Sequence, residues 1–214
     1  MAVRAVIFDF NGTLSNDEPI LCEIFRRLFA EYGRPLSAEE YYGRLAGYSD
    51  PEIVRMWLGA DHPDVDKVIA QRTALYVAAV ADGASVTDDV REAVRYAAGL
   101  VPVAVVSGAA RAEIEPVLSA AGLAGLIKVV VSVDDVTAGK PDPESYLRAL
   151  ELLDGDLAAG DVLVLEDTDA GIAAAKAAGM RCVAVLGTLA PERLVAADEI
   201  VPQLDVALMQ RLLG

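Results

Sequence analysis

Short runs of β-branched and other apolar residues recur along the chain: AVIF at 5–8, VPVAVVS at 101–107, IKVVVS at 127–132, DVLVLED at 161–167 and RCVAVL at 181–186. Their apolar stretches are nearly continuous, which is the pattern of strands covered on both faces. Between the later runs, residues 88–99, 110–121, 143–153 and 169–178 are amphipathic or alanine-rich at helical spacing. Strands alternating with helices in this way predict an α/β fold with a doubly wound parallel sheet.

One region breaks the rhythm. From Ser15 to Asp82 the chain shows helical periodicity and no convincing strand, in EPILCEIFRRLFAEYG, EEYYGRLAG, PEIVRMWLG and DVDKVIAQRTALYVAAVA. The pattern predicts a helical insertion after the first strand, with residues 12–15 and 82–85 as the two crossings. Two units are expected: an α/β core from 1–14 and 83–214, and a helical cap from 15–82.

Composition narrows the classes. With 54% hydrophobic and 24% charged residues over 214 positions, the chain is globular rather than disordered. A formal charge of -15 and no basic cluster argue against nucleic acid or an anionic lipid surface as a partner. No apolar run reaches the roughly 18 residues that a bilayer span needs, and no signal-like N-terminal segment is present. Cys22 and Cys182 have no metal-ligand spacing and read as reduced, packed thiols, so a cytoplasmic setting is expected, as a monomer or small homo-oligomer.

In open α/β sheets, ligands gather at the carboxyl ends of the strands. Those ends carry Asp9, then Ser107 with Gly108, then Glu166 with Asp167, while Lys140 stands in the loop GKPDP. Each alone has an ordinary explanation as a helix cap or loop residue. Together, DFNGTL, VVSG, GKPDP and VLEDTDAGIAAAKAAGM resemble, in order, the four motifs of the haloacid dehalogenase superfamily. The resemblance covers essentially the whole chain. It is strongest to the helical-cap members, the phosphoglycolate phosphatases and β-phosphoglucomutase-like proteins.

That resemblance implies a Rossmann-like core, an aspartyl-phosphate intermediate, Mg²⁺ and a small phosphorylated metabolite as substrate. Asp9 is then the nucleophile. Ser107 and the Gly108 N–H hold phosphoryl oxygens, Lys140 offsets their charge, and Thr13 holds either those oxygens or the Asp9 carboxylate. Asp9, Asp167 and the backbone carbonyl of Asn11 are the implied metal ligands, with Glu166 bound directly or through water. The cap loop GYSD nominates Arg44, Tyr48 and Ser49 for substrate contact, against an equally good reading of each as packing or surface. Arg111 reads as a helix-surface charge and His62 as a surface-loop residue.

Asn11 departs from the family. The phosphatases and mutases carry Asp here as general acid and base, which an amide cannot be, and positioned proton transfer is worth roughly 10²- to 10⁴-fold. Reduced or altered turnover is expected, and a phosphometabolite-binding protein without turnover is the alternative. A mutase is disfavoured because Leu21, Ala46 and Asp50 stand where the mutases carry a histidine and basic residues. Lys67, in a charged stretch, is the insertion's only lysine and a poor imine former. A signalling receiver is disfavoured by the insertion itself.

Overall fold

The computed structural model describes residues 2–153 and 155–214. Among them six strands form one parallel sheet in the order β3-β2-β1-β4-β5-β6. The strands are β1 (Ala5–Asp9), β2 (Val103–Val106), β3 (Val129–Val131), β4 (Val162–Glu166), β5 (Arg181–Val185) and β6 (Glu199–Val201). The chain leaves β1 on one side for β2 and β3 and returns on the other for β4. A topological switch point therefore lies at the carboxyl end of β1.

Register sets what meets there. Asp9 pairs with Val106, so Ser107 follows directly beside it. Phe8 pairs with Leu165, which brings Asp9 level with Glu166. All of β1, β2 and β4 is buried. Helices cover the sheet: α5 (Asp88–Ala98), α6 (Arg111–Ala120), α7 (Glu144–Leu152), α8 (Asp169–Ala177) and α9 (Val206–Leu213). Thr87, Thr168 and Asp205 cap α5, α8 and α9 by accepting from the backbone N–H three residues on.

The insertion holds α1 (Glu18–Glu31), α2 (Ala38–Arg44), α3 (Asp50–Leu58) and α4 (Val65–Ala79). Its apolar faces meet in an aromatic cluster. Phe29 stacks on Phe25 at 5.4 Å and on Trp57 at 6.3 Å, and Tyr41 lies 6.1 Å from Phe25. Ser37 and Glu40 form a capping box that starts α2. The expected helical insertion and parallel sheet are both present, and β6 and α9 complete the sheet beyond the elements read from the pattern. A three-residue strand, Glu-Ile-Val, carries too little periodicity to be recognised.

The small residues of DAGIAAAKAAG, residues 169–179, let a helix lie close on the sheet. Ile172, Ala174 and Ala175 are buried where α8 packs on the sheet, and Gly171 makes the closest approach. A Cβ there would fall 1.6 Å from Glu166 Oε1. We expect Gly171→Ala to push the Glu166 carboxylate out of place and destabilise the fold by about 1–3 kcal/mol, read from urea unfolding. Unchanged stability would show that α8 can lift away freely.

Candidate active site

The sheet delivers the chemistry of the strand ends to one point. Asp9, the last residue of β1, is 6% exposed, and the neighbouring Glu166 and Asp167 are almost wholly buried. One oxygen from each of the three lies within 4.8 Å of the others. Lys140 is brought in by the loop before α7, and its ammonium sits 2.5 Å from Asp9 Oδ1 and 2.6 Å from Glu166 Oε1. Tyr146 on α7 faces that ammonium, its ring centroid 5.3 Å away, and donates its hydroxyl to Glu166 Oε1 at 3.1 Å.

Glu166 is saturated. Its second oxygen, Oε2, accepts from the N–H groups of Asp167 and Thr168, both at 2.8 Å, and from the Thr168 hydroxyl at 3.0 Å. Burial opposes ionisation, but Lys140 and these N–H donors hold the carboxyl below its ordinary range. Both of its oxygens are thus engaged by donors of the protein, while it also belongs to the three-carboxylate cluster.

Asp167 is its opposite. Oδ1 accepts from the Thr13 hydroxyl at 3.1 Å, whereas Oδ2 is buried with no hydrogen-bond partner. Thr13 thus holds Asp167, not the Asp9 carboxylate as one of its two expected roles had it. Burial and the neighbouring Asp9 and Glu166 push Asp167 well above the ordinary carboxylate range, and burial lifts Asp9 to about 7 despite Lys140. Gly12, at φ +82°, closes the turn under this oxygen, where a Cβ would stand 2.0 Å from Asp167 Oδ2. An orphaned carboxylate oxygen beside two more carboxylates is a donor set that fits a hard divalent cation.

Ser107 accepts from the Ala109 N–H at 3.0 Å, which leaves its hydroxyl proton to point at Asn11 Oδ1, 3.4 Å away. Gly108 beside it is exposed. Asn11 also donates through Nδ2 to Asp17 Oδ2 at 2.9 Å and to the Tyr76 hydroxyl at 3.3 Å. Tyr76 in turn donates to the same Asp17 oxygen. Asp17, Tyr76, Tyr146 and Thr168 were not singled out by the sequence. Asp17 and Glu18 open α1 with the acidic residues ordinary at a helix start, so no local signal set them apart.

The cap loop approaches the site, since a Cβ on Gly47 would lie 3.4 Å from Thr168 Cγ2. Tyr48 is 48% exposed beside it. Ser49 donates to Glu52 at 2.6 Å at the start of α3, and the Arg44 guanidinium lies 5.5 Å over the Trp57 ring. Both therefore have structural partners within the insertion. Arg111 pairs with Asp135 at 2.7 Å and Glu115 at 3.1 Å, and His62 accepts from the Asp64 N–H at 3.2 Å in its loop. Asp50 pairs with Arg72 at 3.2 Å, Lys67 is exposed, and Cys22 and Cys182 are free and buried.

A family model described as haloacid dehalogenase-like hydrolase matches residues 3–179. The chain belongs to this family. Among its haloacid dehalogenase-like relatives, a validoxylamine A 7'-phosphate phosphatase from Streptomyces hygroscopicus subsp. limoneus is 34% identical over 94% of both chains. A phosphoglycolate phosphatase from Pseudomonas putida is 29% identical over 84% of this chain and 68% of its own. A mutant of CbbY from Rhodobacter sphaeroides, solved in complex with xylulose-(1,5)bisphosphate, superposes with a TM-score of 0.82 at 27% identity. That match covers 94% of this chain and 95% of CbbY. Among the described residues of this hydrolase, no helix is long and apolar enough to cross a membrane.

The raised carboxyls make a pH prediction. Asp9 near 7 and Asp167 above the ordinary range keep protons in the folded chain that the unfolded chain releases near pH 4. Glu18 near 7 and Asp50 near 6, both raised first by burial, act in the same direction. The folded state then binds more protons, so cation-free stability falls by several kcal/mol as pH rises from about 4 through 7, read from urea unfolding. A divalent cation should restore stability at pH 7.5 and have little effect at pH 4.5. Asp167→Asn should stabilise the cation-free protein at pH 7.5 and abolish the cation response; a response that survives it would place the cation elsewhere.

Proposed function

We propose that this hydrolase is a Mg²⁺-dependent phosphomonoesterase acting on a small phosphorylated metabolite through an aspartyl-phosphate, with its turnover altered by Asn11. The observation that carries the reading is the pairing of a buried carboxylate, Asp9, with a buried ammonium that also grips Glu166. Lys140 opposes the burial that raises Asp9, favouring its anionic form, and faces the charge of an incoming phosphoryl group. The phosphatase names of the relatives support the same reaction class.

In the proposed reaction an Asp9 carboxylate oxygen attacks phosphorus, the bond to the leaving oxygen breaks, and water then cleaves the aspartyl-phosphate to release orthophosphate. Asp9, Asp167 and the Asn11 carbonyl would hold Mg²⁺, which supplies charge neutralisation between phosphate and carboxylates. Ser107 and the Gly108 N–H would bind the transferring oxygens. Thr13 acts one step back, through its hydrogen bond to Asp167. Residues 15–82 would form the cap, with Arg44, Tyr48 and Ser49 around the loop that meets the rest of the substrate. Two free, buried thiols suit a cytoplasmic setting.

A panel of sugar phosphates, nucleotides and phosphoglycolate, assayed with and without Mg²⁺, tests the reading. Mg²⁺-dependent phosphate release should be abolished by Asp9→Asn and raised by Asn11→Asp toward the roughly 10²- to 10⁴-fold that proton transfer contributes. No turnover by either the unaltered chain or Asn11→Asp would sink it; tight Mg²⁺-dependent binding without release would instead establish a phosphometabolite-binding protein.

A further inference from the structure

The Asn11 side chain sits inside a directional chain of hydrogen bonds. The Ala109 N–H donates to Ser107 Oγ at 3.0 Å, and Ser107 donates to Asn11 Oδ1 at 3.4 Å. On the other side, Asn11 Nδ2 donates to Asp17 Oδ2 at 2.9 Å, the oxygen that the Tyr76 hydroxyl also approaches. Asp17 is 0% exposed and Tyr76 is equally buried, so on that side the half-buried Asn11 amide meets protein rather than solvent. Turning the amide over would set its oxygen against Asp17 Oδ2, which already accepts from the Tyr76 hydroxyl, whereas the Ser107 hydroxyl can turn to meet either face of the amide. The Asp17–Tyr76 side therefore sets the orientation.

Resting on the phosphatase reading, we propose that Asp17 and Tyr76 are positioning residues that lock the Asn11 amide with its carbonyl toward the phosphoryl site. Position 11 then offers the reaction centre an acceptor only. It can orient an attacking water by accepting a hydrogen bond, but it cannot donate to the leaving oxygen. When Asp9 attacks phosphorus, the leaving oxygen takes the electron pair and departs as an oxyanion that later gains its proton from water. In the second step water adds to the aspartyl-phosphate, its proton passes to a phosphoryl oxygen, and the Asp9 carboxylate leaves. The substrate class follows: phosphoryl groups on acidic leaving groups, namely acyl, aryl or enol phosphates, rather than simple alkyl esters.

The test compares kcat/KM for acetyl phosphate, 4-nitrophenyl phosphate, phenyl phosphate and glycerol phosphate, with Mg²⁺, in the unaltered chain, Asn11→Asp, Asp17→Asn and Tyr76→Phe. The unaltered chain should favour the acidic leaving groups over glycerol phosphate by about 10²- to 10⁴-fold, a gap that Asn11→Asp closes by supplying the missing proton. Tyr76→Phe keeps the ring, loosens the amide and should narrow the gap about tenfold, the equivalent of one ordinary hydrogen bond. A merely structural role would slow every substrate alike and leave the gap unchanged. An equal gap in all four chains overturns the proposal.

Exchange of the Asn11 side-chain amide protons, followed by NMR, gives a readout independent of activity and of whether Asp17→Asn folds. They should be protected in the unaltered chain and lose protection in Tyr76→Phe; free exchange in the unaltered chain overturns the proposal. Absence of turnover on every substrate by both the unaltered chain and Asn11→Asp defeats the phosphatase reading instead, while the exchange measurement still decides the amide's orientation.

Discussion

The architecture turns on one buried ammonium. Three carboxylates converge at the ends of two adjacent strands, and Lys140 lies within 2.6 Å of two of them. Burying an ion is unfavourable unless it is paired and its remaining donors or acceptors are met. Here the pairing needs several elements at once. The β1–β4 register sets Asp9 level with Glu166, α7 supplies Tyr146, the turn before α8 aims the Asp167 and Thr168 N–H groups at Glu166, and α8 itself fits against that carboxylate only because position 171 lacks a side chain. Misplacing any of these would leave charge uncompensated in the core. The same constraint explains why the strand ends and the helices that follow them are so tightly specified.

The two neighbouring acids at the end of β4 divide the electrostatic roles. Glu166 receives Lys140, Tyr146 and three donors from Asp167 and Thr168 in the turn before α8, and so it is held as an anion. Asp167 accepts from Thr13 on Oδ1, while its buried Oδ2, with the Thr188 hydroxyl near it, makes no hydrogen bond of ordinary geometry. A site built for stability alone would pair that oxygen too. An uncompensated acceptor next to Asp9 lowers the stability of the cation-free chain and creates affinity for a cation. Strain of this kind is the ordinary form of the trade between function and stability.

Much of this was legible in the sequence because strand hydrophobicity and local motifs are short-range signals. The five apolar runs coincide with the first five strands to within two residues at either end, and Asp9, Ser107, Glu166 and Asp167 meet because the ends of parallel strands in such a sheet share one edge, to which the loop before α7 adds Lys140. What escaped was long-range. Tyr76 meets Asp17 across 59 positions, and Thr13 meets Asp167 across 154. No local pattern specifies such pairs; they follow from how the insertion packs and how β1 and β4 align. Arg44 and Ser49 illustrate the converse limit. A polar residue in a loop near a site has the same local signature whether it faces a ligand, caps a helix or lies on an aromatic ring.

The insertion is more than a covering layer, because its α4 reaches the chemistry twice. Tyr76 closes on Asp17 and so on Asn11, while Arg72, one turn earlier, stands 4.9 Å over the Tyr76 ring and pairs with Glu113 on α6. The segment leading into α6 begins with Ser107, the other partner of Asn11. Arg72 also holds Asp50, at the start of the helix that follows the GYSD loop. One buried guanidinium therefore ties the loop that approaches Thr168, the helix beyond Ser107 and the tyrosine behind Asn11. Arg72 and Glu113 are each about 97% buried, so breaking their pair alone would strand a charge. The insertion and the core are thus held in one arrangement by the same kind of compensated charge that organises the strand ends. The orientation of Asn11 is a property of both parts of the molecule.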